Sequence, residues 1–328
     1  MKRSMVSFVC ALSLCAAILP GAGARTAHAA RPARPAAKQL TILLSLPALK
    51  FPFFVYMEHF FQQAAAQLGP QMGVSIQVTV SDAQNSATKQ TTDIEAAIAQ
   101  HVDGVVISPL TQDSLVPAIK EVAKAGIPLV TIDRKTAGGT TLAHVGADNV
   151  AGGFAEGQYV ARQLHGKGDV VLLEGTPGSS PAIDRTKGIK AALRLHPGMR
   201  LVFDQTANFD RATAISVIEA ATGSIKHIDA VICENDDMAG GAITALQGKG
   251  MLKGIIVTGY DAIPSALAAI KAGTQAATIE QFPNQQDEID LKILLNYIVH
   301  HKKPAHHDTF LNPIAISKEN LAQAVVKK

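Results

Sequence analysis

The sequence predicts an α/β protein of two Rossmann-like lobes, each carrying a parallel sheet, with several hinge crossovers joining them. Three observations lead there. Short runs of Val, Ile and Leu alternate with longer helical patterns, as in βαβ units with right-handed crossovers. Most of these runs are continuously apolar, the mark of strands buried on both faces. A segment of the first half also returns in the second: HVDGVVIS (101–108) then PLVTIDR (128–134) is echoed by HIDAVICE (227–234) then IIVTGYD (255–261).

Strands are expected in order at 39–46, 74–80, 103–108, 128–133, 141–146, 169–174, 200–205, 229–234, 255–260 and 276–281. Helical patterns separate them at 60–68, 88–100, 114–125, 149–164, 185–195, 211–222, 237–247 and 263–272. His101 and His227 hold matching places in the repeat and read as polar caps before a buried strand. The glycines of GADNVAGGFAEG (146–157) lack dinucleotide spacing and read as close helix–sheet packing. EGTPGSSP (174–181) follows a strand but has no Gly-Lys-Ser/Thr, so it is no phosphate loop. The first lobe is expected from 38–147 plus 282–310, and the second from 148–281 plus 311–328.

The N-terminal residues bear on compartment. Lys2 and Arg3 precede an apolar run too short to span a bilayer, and small-residue cleavage patterns follow at 22–24 and 27–29. A signal peptide over 1–29 and a periplasmic location are expected, followed by a loose Pro/Ala/Arg-rich segment at 30–37. Lipidation at Cys15 is disfavoured because Leu14 stands where a small residue belongs. Cys10 and Cys15 would leave with the signal, so Cys233 has no intrachain partner and reads as a core residue. With 30 Lys+Arg against 27 Asp+Glu and no basic stripe, nucleic acid is not expected as a partner. HHKKPAHH (300–307) is a polar loop, and neither a metal nor a cofactor is expected.

In an open parallel sheet, ligands bind beyond the carboxyl ends of the strands. That edge here is rich in Asp, Asn, Arg, Gln and Phe, with no Ser–His–Asp set and no paired cysteines. The combination suits a sugar. Carboxylates accept hydroxyl hydrogens, guanidinium forks fill oxygen lone pairs, and amides do both. Phenyl rings cover the C–H face. Asp133 and Asp261 balance Arg134 and Arg185, which points to a ligand without net charge. Asp82, Asp148 and Asp210 read as caps, and Asn235 has a second role open to it as an N-cap.

The ordered marks PFF (52–54), TIDR (131–134), PAIDRTKG (181–188), NFDR (208–211), END (234–236), GYDA (259–262) and TIEQFP (278–283) give the chain its likeness. It resembles the periplasmic ribose-type sugar-binding proteins of ABC importers, type I periplasmic binding proteins with a LacI-like core. The resemblance runs from about Gln39 to the C-terminus. It implies a monomeric, non-enzymatic carrier that binds a neutral monosaccharide or polyol, delivers it to an inner-membrane permease, and presents it to a chemoreceptor in some cases. It also implies stacking by Phe53, Phe54 and Phe209, and hydrogen bonds from Asp133, Arg134, Arg185, Asn235, Asp261 and Gln281. Phe51 departs from the family, which usually has Asn before the Pro-Phe-Phe, so the resemblance leaves the sugar open. A LacI-type regulator would need an N-terminal helix-turn-helix where the leader stands. A sugar-processing enzyme would have to recruit Asp133 or Asp261, each of which has an arginine beside it.

Overall fold

The computed structural model describes residues 37–326. The leader expected over 1–29, Cys15 within it, and all but the last residue of the 30–37 segment lie outside the described residues. The chain runs β1 (Lys38–Leu46), α1 (Pro52–Gln71), β2 (Val74–Asp82), α2 (Ala87–Ala99), β3 (Gly104–Ile107), α3 (Val116–Lys124), β4 (Leu129–Ile132) and β5 (Ala143–Ala147). It continues with α4 (Asn149–Gln163), β6 (Lys167–Glu174), α5 (Ser180–Arg194), β7 (Gly198–Thr206), α6 (Arg211–Ser224) and β8 (Ala230–Cys233). Then come α7 (Asp236–Gly248), β9 (Ile256–Thr258), α8 (Pro264–Ala272), β10 (Ala277–Glu280), α9 (Pro283–His300), β11 (Asp308–Leu311) and β12 (Ile314–Ser317).

Two sheets result, ordered β11-β5-β4-β3-β1-β2 and β12-β10-β9-β8-β6-β7. The first is parallel throughout. The second is parallel except that β12 runs antiparallel to β10. Each therefore repeats one winding: second strand outermost, first beside it, then third, fourth and fifth on the other side. The sequence echo falls on equivalent strands, β3 with β8 and β4 with β9. Continuous apolar runs fill the strand interiors, with Leu43, Val105 and Ile107 facing α2 and α3, and Val170, Leu172 and Ile232 facing α4 and α5.

The repeat also has a duplicated fastening. The Thr41 N–H donates to the Asp103 carboxylate at 2.8 Å, and the Asp169 N–H to that of Asp229 at 2.7 Å. Each aspartate ties the start of one strand to its neighbour in the sheet. The caps are thus these aspartates, not the histidines expected in that role. His227 only pairs with Asp229 from the surface, at 2.8 Å.

Other expectations change. Helix α1 begins at Pro52, well before Phe60, so Phe53 and Phe54 lie in its first turn. Proline at the first helical position pre-sets φ, but Phe51 at the cap offers no side-chain acceptor, which hides this helix start from the sequence. Helix α9 and strands β11 and β12, beyond the last expected element, complete the two sheets. The 146–157 glycines seat helix on helix more than helix on sheet. A Cβ at Gly153 would stand 2.3 Å from the Arg185 carbonyl oxygen, and one at Gly157 would stand 2.7 Å from the Ala192 methyl. Cys233 is buried in β8, as expected.

Candidate functional site

The carboxyl ends of both sheets supply the polar groups of one cleft. Asp133 and Arg134 follow β4, Asn235 follows β8, Asp261 follows β9 and Gln281 follows β10; Arg185 stands on α5. Asp133 has φ of 61° and Asp261 has φ of 109°. Side chains rarely take this left-handed backbone, which costs on the order of 1–2 kcal/mol. It recurs at equivalent points of the two halves, where it turns each carboxylate out of its sheet edge. Phe51, Phe53 and Phe54 come from the start of α1. Phe209, itself at φ 58°, comes from the turn before α6.

These ten residues and Pro181 line a single narrow cavity. All eleven are buried or nearly so. Asp133 and Arg134 therefore do not form a surface ion pair. Larger grooves elsewhere on the described residues, such as the one between Tyr297 and Thr141, gather no comparable set of charges.

Arg185 is the most heavily tied group. Its Nε donates to Asn149 Oδ1 at 2.8 Å, Nη1 to the Glu234 carbonyl oxygen at 2.6 Å and Nη2 to Gln281 Oε1 at 3.5 Å. Asp261 lies 3.7 Å from Nη1, and the guanidinium rests 3.5 Å above the Tyr260 ring centre. Gln281 in turn donates to Asp261 Oδ1 at 2.7 Å. Arg134 is held less. Nη1 donates to the Leu110 carbonyl oxygen at 2.8 Å, and the guanidinium lies 5.3 Å from the Phe54 ring and 5.6 Å from that of Phe209. Its Nε is buried with no hydrogen-bond partner.

Burial raises the Asp133 carboxyl above its ordinary pKa, against the pull of Arg134 and Arg185 and a 3.2 Å bond from the Ser108 hydroxyl. Asp261 is raised further, by burial first, with Arg185 opposing. Burial lowers Arg134 to about 10, still a cation at neutral pH. Each aspartate nonetheless stands 3.7 Å from a guanidinium nitrogen, and with both carboxylates ionised beside their arginines the four charges sum to zero across the cleft.

Asn235 is the N-cap of α7. Its Oδ1 accepts from the Met238 N–H at 2.9 Å while its Nδ2 donates to the Phe209 carbonyl oxygen at 3.1 Å. It faces the cavity and holds the backbone of the aromatic wall as well. Asp82, Asp148 and Asp210 act as caps or loop ties, accepting from the N–H groups of Leu49, Ala151 and Thr213. Phe53 and Phe54 meet edge to face with centroids 5.3 Å apart.

Residues 42–303 match the family described as the periplasmic binding protein domain. The chain belongs to this family. Among curated relatives of this periplasmic binding protein, the ribose import binding protein of Haemophilus influenzae is 33% identical over 248 residues, covering 76% of this chain and 82% of the relative. Among solved structures, the Caulobacter myo-inositol binding protein bound to myo-inositol superposes with a TM-score of 0.80 at 36% identity, covering 87% and 96% of the two chains. A D-allose-bound solute binding protein from Actinobacillus succinogenes superposes at 0.79 with 29% identity, covering 86% and 99%. The two-sheet architecture is the two-lobed fold of these proteins, and the sugar-binding role in import is the family's. Among the described residues, no helix is long and apolar enough to cross a membrane.

Some of what positions this binding protein's site was not singled out from the sequence. Pro181 lines the cavity from the start of α5. Glu234 underlies Arg185. It accepts the Gly175 N–H at 2.6 Å, and burial lifts its pKa to about 8. Its signal was an acidic residue closing an apolar strand run. Gly175 makes room for Phe209, since a Cβ there would fall 2.0 Å from the ring.

Proposed function

We propose that the chain is the periplasmic solute-binding component of an ABC importer for a neutral monosaccharide or related polyol, which it captures between its lobes without turning it over. The observation that carries this reading is the buried Nε of Arg134, which stands 3.7 Å from Asp133 Oδ2 but makes no hydrogen bond, in a cavity walled by phenyl rings and faced by two carboxylates. A buried guanidinium N–H without an acceptor costs about 1–3 kcal/mol. A ligand hydroxyl would supply that acceptor and donate its own hydrogen to Asp133 or Asp261. The zero charge sum favours a ligand without charge. The ligands named for the relatives, ribose, myo-inositol and D-allose, are of this kind.

The ligand contacts proposed are Asp133, Arg134, Arg185, Asn235, Asp261 and Gln281 for hydroxyls, with Phe51, Phe53, Phe54 and Phe209 for C–H surface. The chain passes between the sheets after β5, after β10 and after β11. Those crossings are the hinge expected to couple closure to capture. Against catalysis stands the pairing of each cavity carboxylate with an arginine. Cys233 lies inside a strand, and burial raises its thiol well above the ordinary range. The leader, the monomeric state, the permease contact and any presentation to a chemoreceptor belong to this same reading.

Calorimetry against D-ribose, D-allose, xylitol and myo-inositol tests it. Micromolar or tighter binding of at least one, recovered chemically unchanged, is expected. Binding of none contradicts the proposal, and conversion of the bound sugar contradicts its non-catalytic part.

A further inference from the structure

Each of four charged residues on the cleft rim is the chain neighbour of a residue that lines the cavity. Lys50 precedes Phe51, Asp210 follows Phe209, Lys135 follows Arg134 and Asp184 precedes Arg185. They pair across the cleft. Lys50 Nζ, from the segment before α1, lies 3.0 Å from Asp210 Oδ2 at the cap of α6. Lys135 Nζ, just past β4, lies 3.0 Å from Asp184 Oδ2 on α5. Each pair joins a residue of the first lobe to one of the second. Around the Lys135 pair, two more bonds cross the same gap: Lys135 N–H to the Ser180 hydroxyl at 2.8 Å and Gln112 N–H to the Gly178 carbonyl oxygen at 2.9 Å. None of the four charged residues lines the cavity.

Resting on the reading of a ligand captured between lobes, we infer that Lys50–Asp210 and Lys135–Asp184 are two clasps that set affinity for every ligand by stabilising the closed form, without touching the ligand. The lysines are the more exposed partners, at 55% and 38% of the side chain, and the aspartates the more sheltered, at 26% and 21%. Such pairs contribute modestly in water and are screened by salt. Their effect reaches the ligand through the closed fraction, because apparent affinity scales with the population of the competent state. Lys50 also covers the outer face of the Phe51 ring at 4.9 Å, and Lys135 that of Phe310 at 5.3 Å. Both cations are held over apolar surface, with their pairs aligned across the gap.

The signature that separates a clasp from a contact is uniformity. Lys50→Met and Lys135→Met should each weaken binding of D-ribose, D-allose and myo-inositol by the same factor for every probe that binds, about two- to fivefold, with the double variant near the product. Added salt should weaken the wild type toward the double variant and leave the double variant nearly unmoved. The charge swap Lys135→Asp with Asp184→Lys should recover most of the lost affinity. An unchanged dissociation constant in the double variant, or a loss that differs between probes, overturns the inference. If no probe binds the wild type, it is the functional reading that fails. The clasps are then read by small-angle scattering of the ligand-free protein, where the wild type should be more compact at low salt than the double variant. Identical profiles overturn them.

Discussion

The two lobes reach the same cleft with different material. The first lobe contributes three phenyl rings from the start of α1, the Asp133 carboxylate and one loosely tied arginine, Arg134. The second contributes Phe209, Asn235, which holds the Phe209 carbonyl, and Arg185, Asp261 and Gln281, which are bound to one another above a buried layer. In that layer Asp236 accepts from Gln275, Thr278 and the Ile263 N–H, and burial lifts its pKa to about 7. The polar groups of the second lobe are therefore fixed in place before a ligand arrives, while the three phenyl rings of the first lobe rest on the end of one helix. A duplicated architecture does not require duplicated chemistry. What the halves share is backbone: the Asp103 and Asp229 fastenings and the left-handed turns at Asp133 and Asp261.

Removing each arginine should expose this contrast most strongly. Arg185→Ala leaves Glu234, Asp261 and Asn149 without their cation or donor. Losing one partner of a buried charged set costs about 3–5 kcal/mol. Ligand binding should vanish, and the melting temperature should fall by several degrees. Arg134→Ala, with one protein hydrogen bond to lose, should also abolish or cut binding more than tenfold, yet melt closer to the wild type. Equal melting losses by calorimetry would erase the distinction between the lobes.

Next in size is Gly175→Ala. The added methyl collides with the Phe209 ring, and overpacking of this kind costs about 1–3 kcal/mol. Ligand affinity should drop about tenfold although Gly175 does not line the cavity. Unchanged affinity would show that the aromatic wall on the second lobe is free to move.

The buried acids give a pH test on both sides. Glu156 in α4 and Asp287 and Asp290 in α9 are fully buried, and both oxygens of each lack a partner. Burial raises all three well above the ordinary carboxylate range, with Glu234 and Asp236 adding to it at Glu156, and Asp290 and Asp133 at Asp287. A raised folded-state pKa means the native state holds the proton more tightly than the unfolded chain does. Their contribution is complete below the unfolded value near pH 4 and is lost as pH rises through the folded value. The protein should thus melt higher at pH 5 than at pH 8. Asp287→Asn, Asp290→Asn and Glu156→Gln should each narrow the gap by raising stability at pH 8. A melting temperature that rises from pH 5 to pH 8 in the wild type would contradict this.

Most of the fold was legible because strands buried on both faces leave continuous Val/Ile/Leu runs. The ten residues that line the cavity with Pro181 were legible because the strand-end rule points at them and the family resemblance names all but Phe51. What escaped had no local signature. The early start of α1 hides behind a cap position occupied by Phe51. Helix α9 places charged and amide residues on its buried face, Gln286, Asp287 and Asp290 among them, which blurs its apolar stripe. Strands β11 and β12 are four residues each, and only their distant partners β5 and β10 define them. The roles of Asp103, Glu234 and Gly175 depend on neighbours far away in the chain, and no spacing rule reports those.

The central claim is a charge-balanced cleft that selects a neutral polyol, and a pair of isothermal titrations tests it most directly. D-ribose should be matched against D-ribose 5-phosphate, and myo-inositol against its monophosphate. The account predicts that at least one neutral member binds and that its phosphate ester binds at least a hundredfold more weakly, because the added charge meets Asp133 and Asp261 with no spare cation. Equal or tighter binding of the phosphate ester would contradict it.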